Sequence, residues 1–333
     1  MEKARQHGFD NVRFILIFCV VLGHLLERGG RESGGYLLIY TFHMPAFLFL
    51  SGWFARFQPR RLLTLAGLYL CFQFLYRAME SILFHAPFSL ELFTPYWLLW
   101  YLPVLVYCLL LLPLLDRFPR FPALTVSILV SLAAGYLDCV GYGLTLSRFL
   151  VFLPYFILGR KASRRDRLKP APRWVTPALL AVSLTLSLAL IEGGVTARML
   201  YGSFSYAIGY GPGLRLALYL TGFCWTGFFL SAAAGPLDRR LPLVSAIGRN
   251  TLPIYLLHGF FVRPLLKLSG TPGVPMALIL TALLVVLLGA IPRHRPYRRS
   301  CGRTGARPRR SRIPKTLPPR QPAARKDCQE CRS

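Results

Sequence analysis

The chain has 333 residues, 54% of them hydrophobic, and a formal charge of +27. A mean hydropathy of +0.46 leaves too little polar material to cover a soluble domain of this length, which points to a polytopic membrane protein. The placement of the charge argues against nucleic acid as a partner: residues 292–333 hold 14 Lys+Arg against 2 Asp+Glu, and the rest of the excess is concentrated in alternate loops.

Apolar runs predict about ten membrane spans, at roughly 10–26, 36–55, 62–84, 96–115, 121–140, 144–160, 174–191, 213–233, 247–266 and 274–291. The first is preceded by Lys3 and Arg5, as a signal peptide would be. It lacks a small-residue cleavage site and carries Arg13 and His24, so it reads as a retained helix. Lys and Arg alternate along the loops. They are present before the first span, at Arg56, Arg60 and Arg61, at Arg117 and Arg120, between Arg160 and Arg173, and at Arg239 and Arg240. They are sparse or offset by Glu in the loops between. Positive charge accumulates on the cytoplasmic side, so this alternation predicts an all-α polytopic bundle with both termini cytoplasmic. The basic sixth loop divides it into six plus four helices, and no internal repeat is visible, which weakens an inverted-repeat transporter reading.

The membrane part is expected to occupy residues 8–291. The Arg/Pro-rich tail, 292–333, has almost no aromatic residues to bury and is expected to be disordered. Two readings stand for it, a membrane-surface tether and an extension without function. Cys19, Cys71, Cys108, Cys139 and Cys224 fall in or beside apolar runs, where cysteine acts as a small hydrophobe. Cys328 and Cys331 form a lone CxxC with no second pair, and no metal site is expected.

Ionisable groups inside spans are costly in hydrocarbon and so mark function by default. At 100° per residue, Arg13 and His24 both fall within about 60° of Asp10, on one face of the first helix. Arg13 and His24 are separated along the axis by roughly 16 Å. His43 stands on the second helix in Phe42-His43-Met44-Pro45, with Pro45 able to open a kink and Ser51-Gly52 permitting close helix contact. His258 stands on the ninth. The topology puts the three histidines at similar depth in the outer half. Each serves either as polar glue between helices or as a working group. Imidazole titrates near neutrality and suits a general base, and Glu27, three residues after His24, either orients it or is a solvated loop charge.

On the third helix Arg77 and Glu80 stand three residues apart. They read first as a mutually neutralised pair, and otherwise as groups that hold a polar acceptor or a developing oxyanion. Arg148 carries the same ambiguity at the start of the sixth span. Trp97, Trp100 and Tyr101 fit an interfacial belt, with sugar stacking as the alternative.

These residues together resemble the acyltransferase-3 family of integral membrane O-acyltransferases. The resemblance rests on Asp10-x2-Arg13-x10-His24, on Phe42-His43-Met44-Pro45-Ala46-Phe47-Leu48-Phe49-Leu50-Ser51-Gly52, on Trp100-Tyr101-Leu102-Pro103, and on the run from Ile247-Gly248-Arg249-Asn250 to Leu257-His258. It covers about residues 8–291, and the compact form looks like the fucose 4-O-acetylase-like branch. The resemblance implies transfer of an acetyl or other short acyl group from cytoplasmic acyl-CoA, as co-substrate, to a hydroxyl of a cell-surface glycan or its precursor. No cofactor is bound permanently. The membrane would be a bacterial-type cytoplasmic (inner) membrane.

On that reading His24, Arg13, Asp10 and His43 form the catalytic set. Arg13, Arg56, Arg60 and Arg61 supply cations for the anionic donor. Arg77, Glu80, Trp100, Arg148 and His258 contact the acceptor. The competing reading is a transporter or flippase for a glycan or small polar solute, which would also carry polar groups at a central cavity.

Overall fold

Lipid offers no partner to backbone amides, so spans of this composition have to satisfy their hydrogen bonds within helices. The computed structural model describes residues 7–30, 33–163, 168 and 170–291. Among them are twelve α-helices, three 3₁₀ turns and no strand: an all-α membrane helix bundle. The described residues lie in one compact unit. The tail 292–333, and most of the basic side chains of the sixth loop, lie outside the described residues.

In chain order the helices are α1 (Gly8–Gly30), α2 (Gly34–Trp53), α3 (Pro59–Phe84), α4 (Tyr101–Arg117), α5 (Arg120–Ala134), α6 (Leu146–Ala162), α7 (Val175–Glu192), α8 (Ala197–Leu200), α9 (Pro212–Ala234), α10 (Pro242–Arg249), α11 (Thr251–Ser269) and α12 (Val274–Gly289). Among the described residues seven segments are long and apolar enough to cross a membrane, namely α1, α2, α3, α4 with its preceding turn, α6 with its preceding turn, α7 and α9. Two more apolar helices, α5 and α12, are shorter. The chain is a multi-pass membrane protein.

Two details differ from the sequence expectation. The ninth span is broken at Asn250 into α10 and α11. Pro253 falls in the first turn of α11, where its missing N–H costs nothing, so the helix restarts there. The Asn250 side chain donates instead to the carbonyls of Gly289 and Ile291 at the end of α12. Secondly, the seventh loop folds inward. Val195, Ala197, Leu200 and Ser203 are buried, and Tyr201 Oη meets Tyr36 Oη at 2.8 Å.

The central contact is α2 against α6. A Cβ on Gly52 would collide with the Phe156 backbone, and one on Gly159 with the Phe49 backbone. Two reciprocal glycines thus let the helix backbones touch, the small-residue packing that membranes favour. Pro45 lies inside α2 without ending it. Polarity is reversed on the outer helices. In α7, Ser183 and Ser187 are fully buried while Val182 and Leu188 are exposed. Ser187 Oγ accepts from Trp225 Nε1 at 2.9 Å and meets Thr41 Oγ1 at 3.1 Å, so hydroxyls join helices while apolar side chains face lipid.

Candidate active site

A cavity of about 370 Å³ lies among α1, α2, α6, the 3₁₀ turn Trp97–Trp100 and residues 200–204, with the first turn of α11 completing its wall. α1 contributes one continuous face: Arg13, Ile17, Val20, His24 and Glu27 all line it. These residues fall three or four apart, so the helical period brings the two ends of one helix to one cavity.

His24 Nδ1 lies 3.3 Å from Glu27 Oε2, one turn further along α1. An ionised carboxylate only accepts, so this contact places the hydrogen of a neutral imidazole on Nδ1 and the lone pair on Nε2. Trp97 Nε1 donates to the same carboxylate oxygen at 2.9 Å. The Trp97 ring also meets the His24 ring edge-on, with centroids 4.5 Å apart. Trp97 has φ of 34°, a left-handed conformation that non-glycine residues rarely adopt. It is held there by a tied pair of loops: Leu144 N donates to Phe93 O at 2.7 Å, and Tyr142 Oη to Pro95 O at 3.0 Å. Glu27 is thus part of the cavity wall rather than a solvated loop charge.

His43 also lines the cavity, and its Nδ1 is 2.8 Å from Ile39 O. A carbonyl can only accept, so Nδ1 carries the hydrogen and Nε2 of the neutral ring is an acceptor. His258 makes the same contact with Ile254 O at 2.8 Å and is fully buried, with Nε2 lacking a hydrogen-bond partner. It stacks on His24 at 5.4 Å and stands behind that ring, outside the cavity wall. Among the described residues no group of three His, Cys, Asp or Glu is arranged for a metal ion.

At the other end of α1, Arg13 Nη1 lies 3.5 Å from Asp10 Oδ1, and the guanidinium covers the Phe54 ring at 4.2 Å. Arg13 lines the cavity, whereas Asp10 is buried behind it. A Cβ on Gly248 would strike the Asp10 carbonyl, so the glycine of the Ile247–Asn250 run lets α10 pack directly on α1 at this point. Of the three loop arginines Arg61 reaches the cavity; Arg56 and Arg60 are exposed and do not. Ser51, beside Arg61 in the wall, bonds Tyr101 Oη at 2.6 Å.

Near the start of α6, Arg148 is buried in the wall. Its Nε donates to Tyr201 O at 3.2 Å, and its guanidinium lies 4.7 Å from the Trp100 ring and 5.0 Å from the Tyr142 ring. Trp100 therefore serves first as a support for Arg148, although it also faces the cavity.

Arg77 and Glu80 do not pair with each other and do not reach the cavity. Glu80 instead accepts from Arg263 Nε at 2.7 Å, Tyr96 Oη at 2.5 Å and Lys267 Nζ at 3.4 Å, while Arg77 faces Glu91 at 3.5 Å. Interhelical partners from α11 outcompete the neighbour on α3. Glu80 thereby ties α3 to α11, and its expected place at the acceptor is not supported.

Sequence reasoning did not single out Tyr40, Tyr142, Tyr201 or Ser203, all of which line the cavity. A signal was present for Tyr40, three residues before His43 on the same face of α2, with ring centroids 4.6 Å apart. None was available for residues 200–204, whose place depends on the inward fold of a loop.

A family model described as an acyltransferase domain, of the acyltransferase-3 type, matches residues 6–292. No curated protein and no solved structure matches the chain. The match takes in the whole bundle and every residue of the cavity wall, and from it the chain belongs to the acyltransferase-3 family and is a membrane acyltransferase.

Proposed function

We propose that the protein moves an acetyl or other short acyl group from cytoplasmic acyl-CoA to a hydroxyl of a cell-surface glycan or its precursor, with His24 as general base. The observation that carries this reading is one cavity lined at one end by Arg13 and Arg61 and at the other by His24 and Glu27. The two ends suit an anionic nucleotide and a proton acceptor. With both termini cytoplasmic, Arg13 and Arg61 lie on the donor side. The distance along α1 from Arg13 to His24, roughly 16 Å, is comparable to an extended pantetheine arm.

His24 Nε2 takes the proton of the acceptor hydroxyl as its oxygen attacks the thioester carbonyl carbon. The tetrahedral intermediate collapses, the C–S bond breaks, and the departing CoA thiolate recovers the proton from His24. Glu27 and Trp97 hold the imidazole in the tautomer this requires. Neutral His43 presents a lone pair to the cavity, which suits it to accept from the acceptor hydroxyl. Stabilising the oxyanion falls to a guanidinium of the wall. An acylated histidine is the second mechanism, and trapping of a labelled acyl-enzyme would favour it.

The membrane is a bacterial-type cytoplasmic membrane on this reading. Mass spectrometry of surface glycans with and without the gene tests it. Loss of an acyl mass at a hydroxyl is expected. Loss of the whole glycan with unchanged acyl content would instead indicate transport.

A further inference from the structure

Arg148 stands out among the charges of the bundle. It is 8% exposed, and among the described residues no carboxylate pairs with it. Its Nη1 makes no hydrogen bond. It also lies in the first turn of α6, where the helix dipole is positive and a cation is disfavoured. A buried charge without a counter-ion is costly, and stacking on Trp100 and Tyr142 offsets only part of that.

A second unpartnered group lies on the segment that Arg148 touches. Ser203 is 3% exposed, lines the same cavity, and its Oγ makes no hydrogen bond. Residues 201–203 are fixed against α6 by two bonds, from Arg148 Nε to Tyr201 O at 3.2 Å and from Ser147 Oγ to Gly202 O at 2.9 Å. The chain turns into α6 through Leu144 and Thr145, with φ of 53° and 55°. A β-branched residue in that region is strained, and strain of this kind persists where the surroundings over-determine it. Two aromatic faces, a strained turn and an anchored loop thus hold a guanidinium Nη1 and a hydroxyl that have no hydrogen-bond partner in the protein.

From this we infer that the cavity takes an acceptor carrying an anionic oxygen group, the carboxylate of an acidic sugar or the phosphate of a sugar phosphate, received by Arg148 Nη1 and Ser203 Oγ. The inference rests on the acyl-transfer reading only for the word acceptor; the anion site stands on its own geometry. A guanidinium recognises either oxyanion through charge-assisted hydrogen bonds, and a hydroxyl donor can share the load. The anion would anchor the sugar in the wall while one of its hydroxyls is presented to His24 Nε2.

The test is binding to the full chain in nanodiscs, using D-glucuronate, glucose 1-phosphate, D-glucose and CoA as probes. Glucuronate or glucose 1-phosphate should bind more tightly than glucose by about tenfold or more, the scale of one charge-assisted hydrogen bond. Which of the two binds identifies the source of the oxyanion. Arg148→Gln should remove the preference, Arg148→Lys should keep part of it, and Ser203→Ala should reduce it less. CoA affinity should fall for Arg13→Ala and stay within about twofold for Arg148→Gln. Equal affinity for all three sugars, or no binding of any, overturns the inference. So does a loss of CoA affinity in Arg148→Gln equal to its loss of anion affinity, because the anion would then belong to the donor. Should Arg148→Gln fail to accumulate, the wild-type preference and the Arg148→Lys response decide the matter. The same measurement on His24→Ala separates the two readings: anion binding should persist there although transfer is lost.

Discussion

The two ends of α6 carry the same residue in opposite circumstances. Arg160, in the last turn, lies at the negative end of the helix dipole and forms a two-point pair with Asp116, Nε to Oδ1 at 2.9 Å and Nη2 to Oδ2 at 2.7 Å. Its Nη1 reaches the Ala55 carbonyl at 3.1 Å, so all three nitrogens are used. Arg148, in the first turn, lies at the positive end with Nη1 unbonded and no carboxylate partner among the described residues. Arg160 lies outside the cavity wall and Arg148 forms part of it. The Glu80 cluster, with Arg263, Lys267 and Tyr96 around one carboxylate, resembles the Arg160 end. In this bundle charge alone does not mark a site. The mark is charge left uncompensated beside open space.

The largest effect is expected in the cavity wall itself. His24→Ala should abolish acyl transfer, a loss of about 10²–10⁴-fold or more, without lowering the amount of protein in the membrane. Ordinary turnover of labelled acetyl-CoA by that variant would end the assignment of His24 as base. Glu27→Gln keeps the shape and removes the charge that fixes the His24 tautomer. It should lower kcat by about 10²-fold while leaving the donor KM in place. A shift confined to KM would move Glu27 from orienting His24 to holding substrate.

Arg13→Ala removes a cavity cation far from His24 along the helix. It should raise the KM for acyl-CoA by about tenfold or more, matching a charged hydrogen bond of about 1.5–3 kcal/mol, with a smaller change in kcat. Unchanged dependence on donor concentration would remove Arg13 from the donor site.

The smallest catalytic effect is expected at the compensated end. Asp116→Asn should lower thermal stability in detergent by about 1 kcal/mol, because the pair is partly exposed, and should leave both KM values unaltered. A catalytic defect there as large as that of Glu27→Gln would erase the distinction between the two ends of α6.

Much of the candidate site was legible as single residues. Arg13 and His24 share a face because the helical period puts them there, and neither lipid nor tertiary contact alters that period. Gly52 was readable as a point of close contact, since a small residue in a span has few other uses. Arg77 and Glu80 were misread because a spacing of three suggests a pair, while α11 supplied better-placed cations from across the bundle. Arg60 and Arg61 lie side by side in the first turn of α3, with Arg56 in the loop before it, and only the direction of the α3 start decides which of the three meets the cavity.

Local chemistry along the chain sets the material of the protein: apolar runs of membrane length, the polar residues embedded in them, and the periodicity that groups those residues on helix faces. Those properties are local, set by hydrophobicity and by 3.6 residues per turn, and they survive any packing. Packing in three dimensions settles which polar groups neutralise one another and which are left facing a cavity. That depends on residues far apart in the chain: Trp97 reaching Glu27, Arg263 reaching Glu80, and the 200–204 segment closing over Arg148. Compensation of charge is a property of neighbours in space, and no spacing along one helix encodes it.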